Sequence, residues 1–542
     1  MKASLVGCTT TVAALTAIVV AITVALGENR TYPQSATGAS MQTVAPDGGA
    51  DKAAAALERL VRANFGELSE AEVKLVHAAP RRALVWVGPN SDADGPENDP
   101  THAAKWLPTR TIRAALIGWL TADPQARPYV HPSGVGFGGA LITGRLDLSY
   151  LTLSSPLTIM GSAIPQGVDF SFAHLRGLDL SRDVTGPIIG DRSTVEGDLI
   201  LTGGNYGSTS PFRTVIDGSL DCSGGQFRGG DDALSVIEAT IRGDANFQQG
   251  FTTNGVVDLR LAQIDRGLSF NHARFIGSGE NGLTAERSTI NATLYWTDIT
   301  RTPHTELDLT NTHVGSLWDD SLSWPARGRL LVNGFVYGAI SGGPADAQSR
   351  LEWLARQPPG YRPQPYGQLA RVLRDHDSDV GAVDVMIADE NARWRESGLG
   401  WGERVWRGML DATIGYGYRP MRALWWILSF VALGAMMFGW GYRGRAITPT
   451  DLAAYDGFVK SGDLPRHYPP FNAVIYSLEN FLPLVDLHQG TYWRPSPHHG
   501  SGGEQQALSG RLLRWYLWAH ILAGWVLTPL LAAGLSGLGR PG

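Results

Sequence analysis

One short phrase recurs through the middle of this chain: a glycine turn followed by an alternating apolar strand. It reads Gly144-Arg145-Leu146-Asp147-Leu148, Gly177-Leu178-Asp179-Leu180, Gly197-Asp198-Leu199-Ile200-Leu201 and Gly218-Ser219-Leu220-Asp221-Cys222, and it weakens toward Gly328-Arg329-Leu330-Leu331-Val332. A turn-plus-strand unit that returns about every 20–25 residues specifies a stacked solenoid, because one coil alone buries too little apolar surface to hold itself together. Strand alternation points Leu146 and Leu148 inward and Asp147 outward. The sequence therefore predicts a mainly β fold, a β-solenoid over residues 135–340. Its outward positions form an acidic column of Asp147, Asp169, Asp179, Asp221 and Asp308, with Asn246 in an equivalent place. Such a column has two uses. It is a solvated face that discourages edge pairing, or it is a docking face for a basic protein partner.

An open solenoid end exposes strand edges and apolar side chains, so it needs a cover. Residues 51–134 supply a helical cap. Ser69-Glu70-Ala71-Glu72 is a capping box, and Thr111 to Leu120 reads as an amphipathic helix stopped by Asp123-Pro124. Residues 341–412 close the other end. A hairpin of Tyr366–Arg374 and Val380–Arg395 leads there to a juxtamembrane stretch with Arg404, Trp406, Arg407 and Leu410.

Residues 413–542 contain two apolar segments, about 421–441 and 515–538, each long enough to cross a bilayer. Trp425, Trp426, Trp440, Tyr442, Trp515, Tyr516 and Trp518 lie at or near their ends, as an aromatic belt would. A third apolar run, Ala3 to Leu26, carries no charge. It makes residues 1–27 an N-terminal membrane anchor, followed by a Gly/Ala/Ser/Pro linker at 28–50. The expected setting is a bacterial plasma membrane with the bilayer as a partner. Arg404, Arg407, Arg419, Arg422 and Arg540 against Arg443, Arg445, Arg511 and Arg514 lean toward a cytoplasmic solenoid, whereas Lys2 beside the first run leans the other way.

Between the last two spans, Phe471–Leu487 is apolar and about half a membrane thick if helical. It carries Glu479, Pro483 and Asp486. One reading is an interfacial helix packed on the pair. The other is a re-entrant segment of an oligomeric, cation-selective pore, since acidic rings favour cations. His520 is an ionisable residue inside the last span, a functional hint or a satisfied packing histidine.

The remaining motifs point elsewhere than their spelling. Gly134-Val135-Gly136-Phe137-Gly138-Gly139 matches a dinucleotide fingerprint but opens no helix, so it reads as the glycine-rich lead-in to the first coil. Thr413-Ile414-Gly415-Tyr416-Gly417 spells a potassium filter, yet the charged stretch Glu403–Asp411 precedes it, and a hinge at the lipid interface fits better. His488, His498 and His499 match no metal spacing. The two cysteines, Cys8 and Cys222, make no disulfide framework. The net charge of −6 leaves no footprint for nucleic acid. Neither a catalytic residue nor a cofactor is predicted.

These motifs together resemble a family of bacterial, mostly actinobacterial, membrane-associated proteins with pentapeptide-like repeats and two C-terminal membrane helices. The resemblance rests on the GRLDL-type coils, PYGQLARVLRD at 365–375, TIGYGYRP at 413–420, YSLENFLPLVDL at 476–487 and AGWVLTPLLAAGLSGL at 523–538. It covers roughly residues 100–540; the N-terminal anchor departs from the pattern. It implies a right-handed, pentapeptide-repeat-like β-helix with α-helical caps and C-terminal transmembrane helices. Members often carry the label "membrane-associated oxidoreductase", for which no flavin, nicotinamide, haem or iron–sulfur ligand set is present in the sequence. Three functions follow as expectations: a non-catalytic, membrane-anchored binding scaffold; an oligomeric cation channel; and, by label alone, an oxidoreductase.

Overall fold

The computed structural model describes residues 48–89, 95–230, 232–277, 281–398, 400–496 and 504–536. The expected anchor at 1–27, and His498 and His499, lie outside the described residues. The core of the molecule is a parallel β-solenoid of about nine coils, built from very short strands. In one coil these are Leu178–Asp179, Val184–Thr185, Ile188–Ile189 and Thr194–Val195; Leu199–Ile200 then lies in parallel on Leu178–Asp179. The coil thus has four sides, numbered one to four in that order. Along side one, Leu157, Leu178, Leu199, Leu220, Ala245, Leu268, Leu294 and Leu317 stand in register, 21 residues apart in the first three steps. All of them are buried. Aromatic rings fill the later coils: Tyr206, Phe227, Phe251, Phe270 and Trp296 touch in sequence or through Phe247 and Phe275.

The corners explain the recurring aspartates. After side three the chain turns through a left-handed residue, non-glycine in most coils: Tyr150, Phe172, Arg192, Arg213, Glu238, Leu261, Arg287 and Asn311. After side one the same role falls to Arg182, Gln249, His272 and Asp298, and to Gly203 and Gly224. This backbone is unfavourable for residues with a Cβ. At six corners an aspartate offsets part of the cost by accepting the N–H two residues on, just before the left-handed residue. Ser149 donates to Asp147 (3.0 Å), Ser171 to Asp169 (2.9 Å), Ser181 to Asp179 (2.9 Å), Ser223 to Asp221 (3.0 Å), Arg260 to Asp258 (3.0 Å) and Thr310 to Asp308 (2.9 Å). Asp-x-Ser/Thr is therefore a turn instruction.

Both ends are sealed. At the first end sit α1 (Gly48–Phe65), α2 (Glu70–Ala78) and α3 (Ala114–Ala122). The Ser69–Glu72 capping box forms as the sequence predicts. The segment expected to be wholly helical also gives two strands. Val85–Trp86 pairs with Phe137–Gly138, and Thr111–Arg113 with Leu141–Thr143. Thr111 and Ile112 are β-branched, and pairing with the first coil satisfies an edge that a helix would leave bare. The glycine-rich 134–139 stretch is that first coil: Val135–Gly138 is a strand, with Gly134 and Gly139 at positive φ.

At the other end lie α4 (Ala347–Leu354), α5 (Pro363–Asp375) and α6 (Asp379–Glu396). Two glutamines of α5 close the last coil. Gln364 accepts from Gly334 N–H (2.8 Å) and donates to the Phe335 carbonyl (3.0 Å); Gln368 donates to the Tyr337 carbonyl (2.8 Å). Arg350 of α4 is fully buried on Asp319.

One buried carboxyl is an exception to this economy. Asp183 accepts from Ser162 N–H through Oδ1 (2.7 Å), but Oδ2 has no partner. Burial pushes its carboxyl well above the ordinary carboxylate range, against the Ser162 bond and with help from Asp179. The folded state thus holds a proton that the unfolded chain gives up near its ordinary value of about 3.9. Stability then falls as pH rises from there through the folded value. Asp183→Asn keeps the acceptor and removes the titration. It is expected to raise stability by roughly 1–3 kcal/mol at about pH 8 and to change little at about pH 3, below the unfolded value. Thermal unfolding at the two pH values checks this; an equal effect at both contradicts it.

Candidate functional site

From α6 the chain passes through α7 (Trp401–Ile414), a tight turn at Gly415–Gly417, and into α8 (Met421–Arg443). The filter-like Thr413–Gly417 segment is this turn. Gly415 caps α7 at φ 53°, and Tyr416 (φ 53°) donates to Asn391 of α6 (2.9 Å). After α8 come α9 (Leu452–Lys460), α10 (Ala473–Phe481), α11 (Gln489–Tyr492) and α12 (Glu504–Leu535).

Met421–Arg443 and Ser509–Leu535 are long and apolar enough to cross a membrane. Only 28% and 22% of their apolar windows are buried within the molecule. Trp425, Met436, Trp515, Leu522 and Trp525 are all more than half exposed. A core helix would show the reverse.

The two helices form an antiparallel hairpin, with Gly441 against Leu513 at one level and Gly534 against Pro420 at the other. Residues 444–496 therefore leave the hairpin at the end far from the solenoid.

α10 enters between the two helices from that far end. Asn472 caps it, accepting from Val474 N–H (3.0 Å) and Ile475 N–H (3.2 Å). Ala473 starts beside Gly439, and Phe481 ends against Phe430, with ring centroids 5.9 Å apart. The Ser477 hydroxyl donates to the Val431 carbonyl (2.8 Å), one residue short of the middle of the 23-residue α8. Its nine residues span about 13.5 Å, so α10 is a half-length helix whose tip passes the centre of the hairpin. Two glycines make the fit possible. A Cβ at Gly524 would overlap the Phe481 carbonyl, and one at Gly434 the Ser477 hydroxyl.

The expected site residues part company here. Glu479 turns inward: its carboxylate accepts from Gln489 N–H (2.7 Å) and Gly490 N–H (3.1 Å). Gln489 in turn accepts from Asn472 N–H (3.0 Å), which draws the returning chain back along α10. Glu479 thus holds the loop. Pro483 lies in that loop, half-buried. Asp486 is 70% exposed, accepts from His488 N–H (2.9 Å), and has the His488 ring 3.5 Å away. Leu484, Val485 and Leu487 around it are exposed.

His520 is buried at the α10 contact. Its Nε2 lies 3.0 Å from the Ser477 carbonyl, an acceptor that assigns Nε2 as the donor. The rings of Phe438, Phe481 and Tyr516 surround it. Of these, Tyr516 is itself ionisable, and the buried Nδ1 of His520 has no hydrogen-bond partner among the described residues.

The acidic column is two columns. On side three, Asp147 pairs with Asp169, and Thr284 with Asp308. On side one, Asp179 is followed by Ile200, Asp221 and Asn246. The phrase occurs twice per coil, so alternation tells inward from outward but not one side from another. The carboxyls also differ: the Ser149 hydroxyl and N–H hold Asp147 below its ordinary value, whereas burial pushes Asp179 above it. Among the described residues no group of three or more His, Cys, Asp or Glu is placed to hold a metal.

The contacts at Ser477, Gly434 and Gly524 lay outside the sequence expectations; their only signal was small residues within apolar helices. Comparison with protein-family models, with curated proteins and with solved structures finds no match to this chain.

Proposed function

We propose that this protein is a membrane-anchored β-solenoid that acts by displaying its lateral faces as a binding scaffold, held in a bacterial plasma membrane by α8 and α12. The exposure of those two helices carries the reading, because apolar surface of that extent needs lipid or protein against it. Alkaline carbonate washing of cell membranes tests it. The full-length protein is expected in the pellet, released only by detergent; recovery in the aqueous fraction overturns it.

The half-helix α10 favours a second reading, an oligomeric cation pore. Backbone of irregular shape at membrane depth is tolerated where protein covers it or water meets it, and residues 484–488 of the return loop are exposed in a single chain. Several copies around a shared axis would cover it and present Asp486 to a water-filled path. In planar bilayers, Asp486→Asn is expected to reduce cation selectivity with the loop intact. Glu479→Ala is expected to abolish current by releasing the loop, and Glu479→Gln to retain part of it. Silence at high protein density rejects the pore and leaves the scaffold. A flavin or haem absorbance band in the pure protein would favour the oxidoreductase reading instead.

A further inference from the structure

A trough of about 1260 Å³ runs along side one of the solenoid. Its floor is a ladder of outward side chains in strict register: Asp221, Asn246, Ser269, Tyr295 and Trp318 on successive coils. Two residues further round each coil stand Ser223, Gln248, Asn271 and Thr297. Neighbouring hydroxyls orient two of the amides. Ser269 donates to the Gln248 carbonyl (3.2 Å), and Thr297 to the Asn271 carbonyl. Both amide carbonyls are thus engaged, which leaves the NH₂ groups as the donors to offer, while Asp221, whose Oδ1 is taken by Ser223, offers Oδ2 as an acceptor. At one end the rings of Tyr295 and Trp318 lie 5.8 Å apart at 35°, and Trp318 is 44% exposed. Coils repeat about every 4.8 Å, so the recognition groups repeat at that interval along a straight line.

We propose that this trough binds a linear, neutral oligosaccharide. The inference rests on the reading of the solenoid as a display module and names the class of ligand. A pyranose ring has a hydroxyl-bearing rim and C–H faces. The rim matches planar amides and a carboxylate, and a C–H face stacks on the electron-rich faces of Trp318 and Tyr295. A regular polymer suits a regular ladder. Other classes of chain fit less well. A polyanion meets three carboxylates, Asp221, Asp244 and Asp298, against one arginine of the lining, Arg182, and a histidine, His272, that sits beside Asp298. A peptide strand has nothing to pair with, since the backbone groups of side one are spent between coils, as in Leu201 N–H to the Asp221 carbonyl and Cys222 N–H to the Asn246 carbonyl.

The test is calorimetric titration of the full-length protein, in detergent or lipid nanodiscs, with cellohexaose, chitohexaose, maltohexaose and heparin. One of the three neutral hexamers is expected to bind, more tightly than its own dimer. Trp318→Ala is expected to weaken it about tenfold, Trp318→Phe much less, and the pair Asn246→Ala with Gln248→Ala about tenfold. Arg228→Ala, on side two, serves as the control and leaves binding unchanged. Trp318 also packs on Gly342, so the amide pair keeps the test sound if Trp318→Ala fails to fold. No binding by any neutral hexamer, binding indifferent to both the tryptophan and the amide changes, or binding of heparin alone overturns the proposal. Failure here with the protein still in the carbonate-washed pellet removes the ligand and leaves the anchored solenoid standing.

Discussion

Arg350→Ala is expected to cost about 3–5 kcal/mol and to open the solenoid from its C-terminal end. The Arg350 side chain is fully buried, and that of Asp319 is 3% exposed. Two guanidinium nitrogens meet the carboxylate at 2.8 and 2.6 Å, while Nε donates to the Pro344 carbonyl (2.6 Å). Trp324 completes the group by donating to Asp319 (2.8 Å). Removing the arginine leaves a buried carboxylate with one neutral donor, the costly half of a broken ion pair. A solenoid transmits little of this along its length, because each coil touches only its neighbours. Hydrogen exchange should therefore quicken in residues 313–342 and stay slow in the coils around Leu178 and Leu199. Joint replacement by Arg350→Met and Asp319→Leu should recover most of the loss, since the pair gives little net stability over a well-packed apolar substitute. Wild-type exchange at 313–342 in Arg350→Ala would refute the assignment.

Gly524→Leu is expected to expel α10 from the helix pair. The added Cβ meets a backbone oxygen, that of Phe481, which cannot rotate away as a side chain would. Either α12 shifts along its length or α10 withdraws with Ser477 and Glu479, and each route breaks the contacts at Val431, His520 and Gln489. In detergent, the unfolding transition of the helical unit should fall by more than about 5 °C, on the order of several kcal/mol. Gly524→Ala should fall less, with the same sign. Gly408→Ala in α7, where no atom lies within 4 Å of the new Cβ, should leave the transition in place. The solenoid transition should be unmoved in all three. An unchanged helical transition in Gly524→Leu would mean that α10 does not pack there.

Some of this was readable in order along the chain. The Gly-x-Leu-x-Leu rhythm predicts parallel coils because local alternation and turn chemistry agree. The capping box at Ser69 forms for the same local reason. The 111–113 strand escaped because its pairing partner, Leu141–Thr143, lies some thirty residues on. Propensity there is ambiguous until the solenoid edge is present to be covered. Glu479 reads as a free acid in sequence because nothing local shows that Gln489 and Gly490 return to it.

By itself, then, the sequence determined the stacked apolar interior, its sealed ends and two helices long enough for a bilayer, all set by periodicity and length. Only the tertiary structure decided which side each aspartate occupies, how deeply α10 enters, and that Asn246, Gln248, Tyr295 and Trp318 share one trough. The reason is physical: hydrophobic period and turn residues act between near neighbours, whereas a site is made where distant coils and helices come to lie at one level.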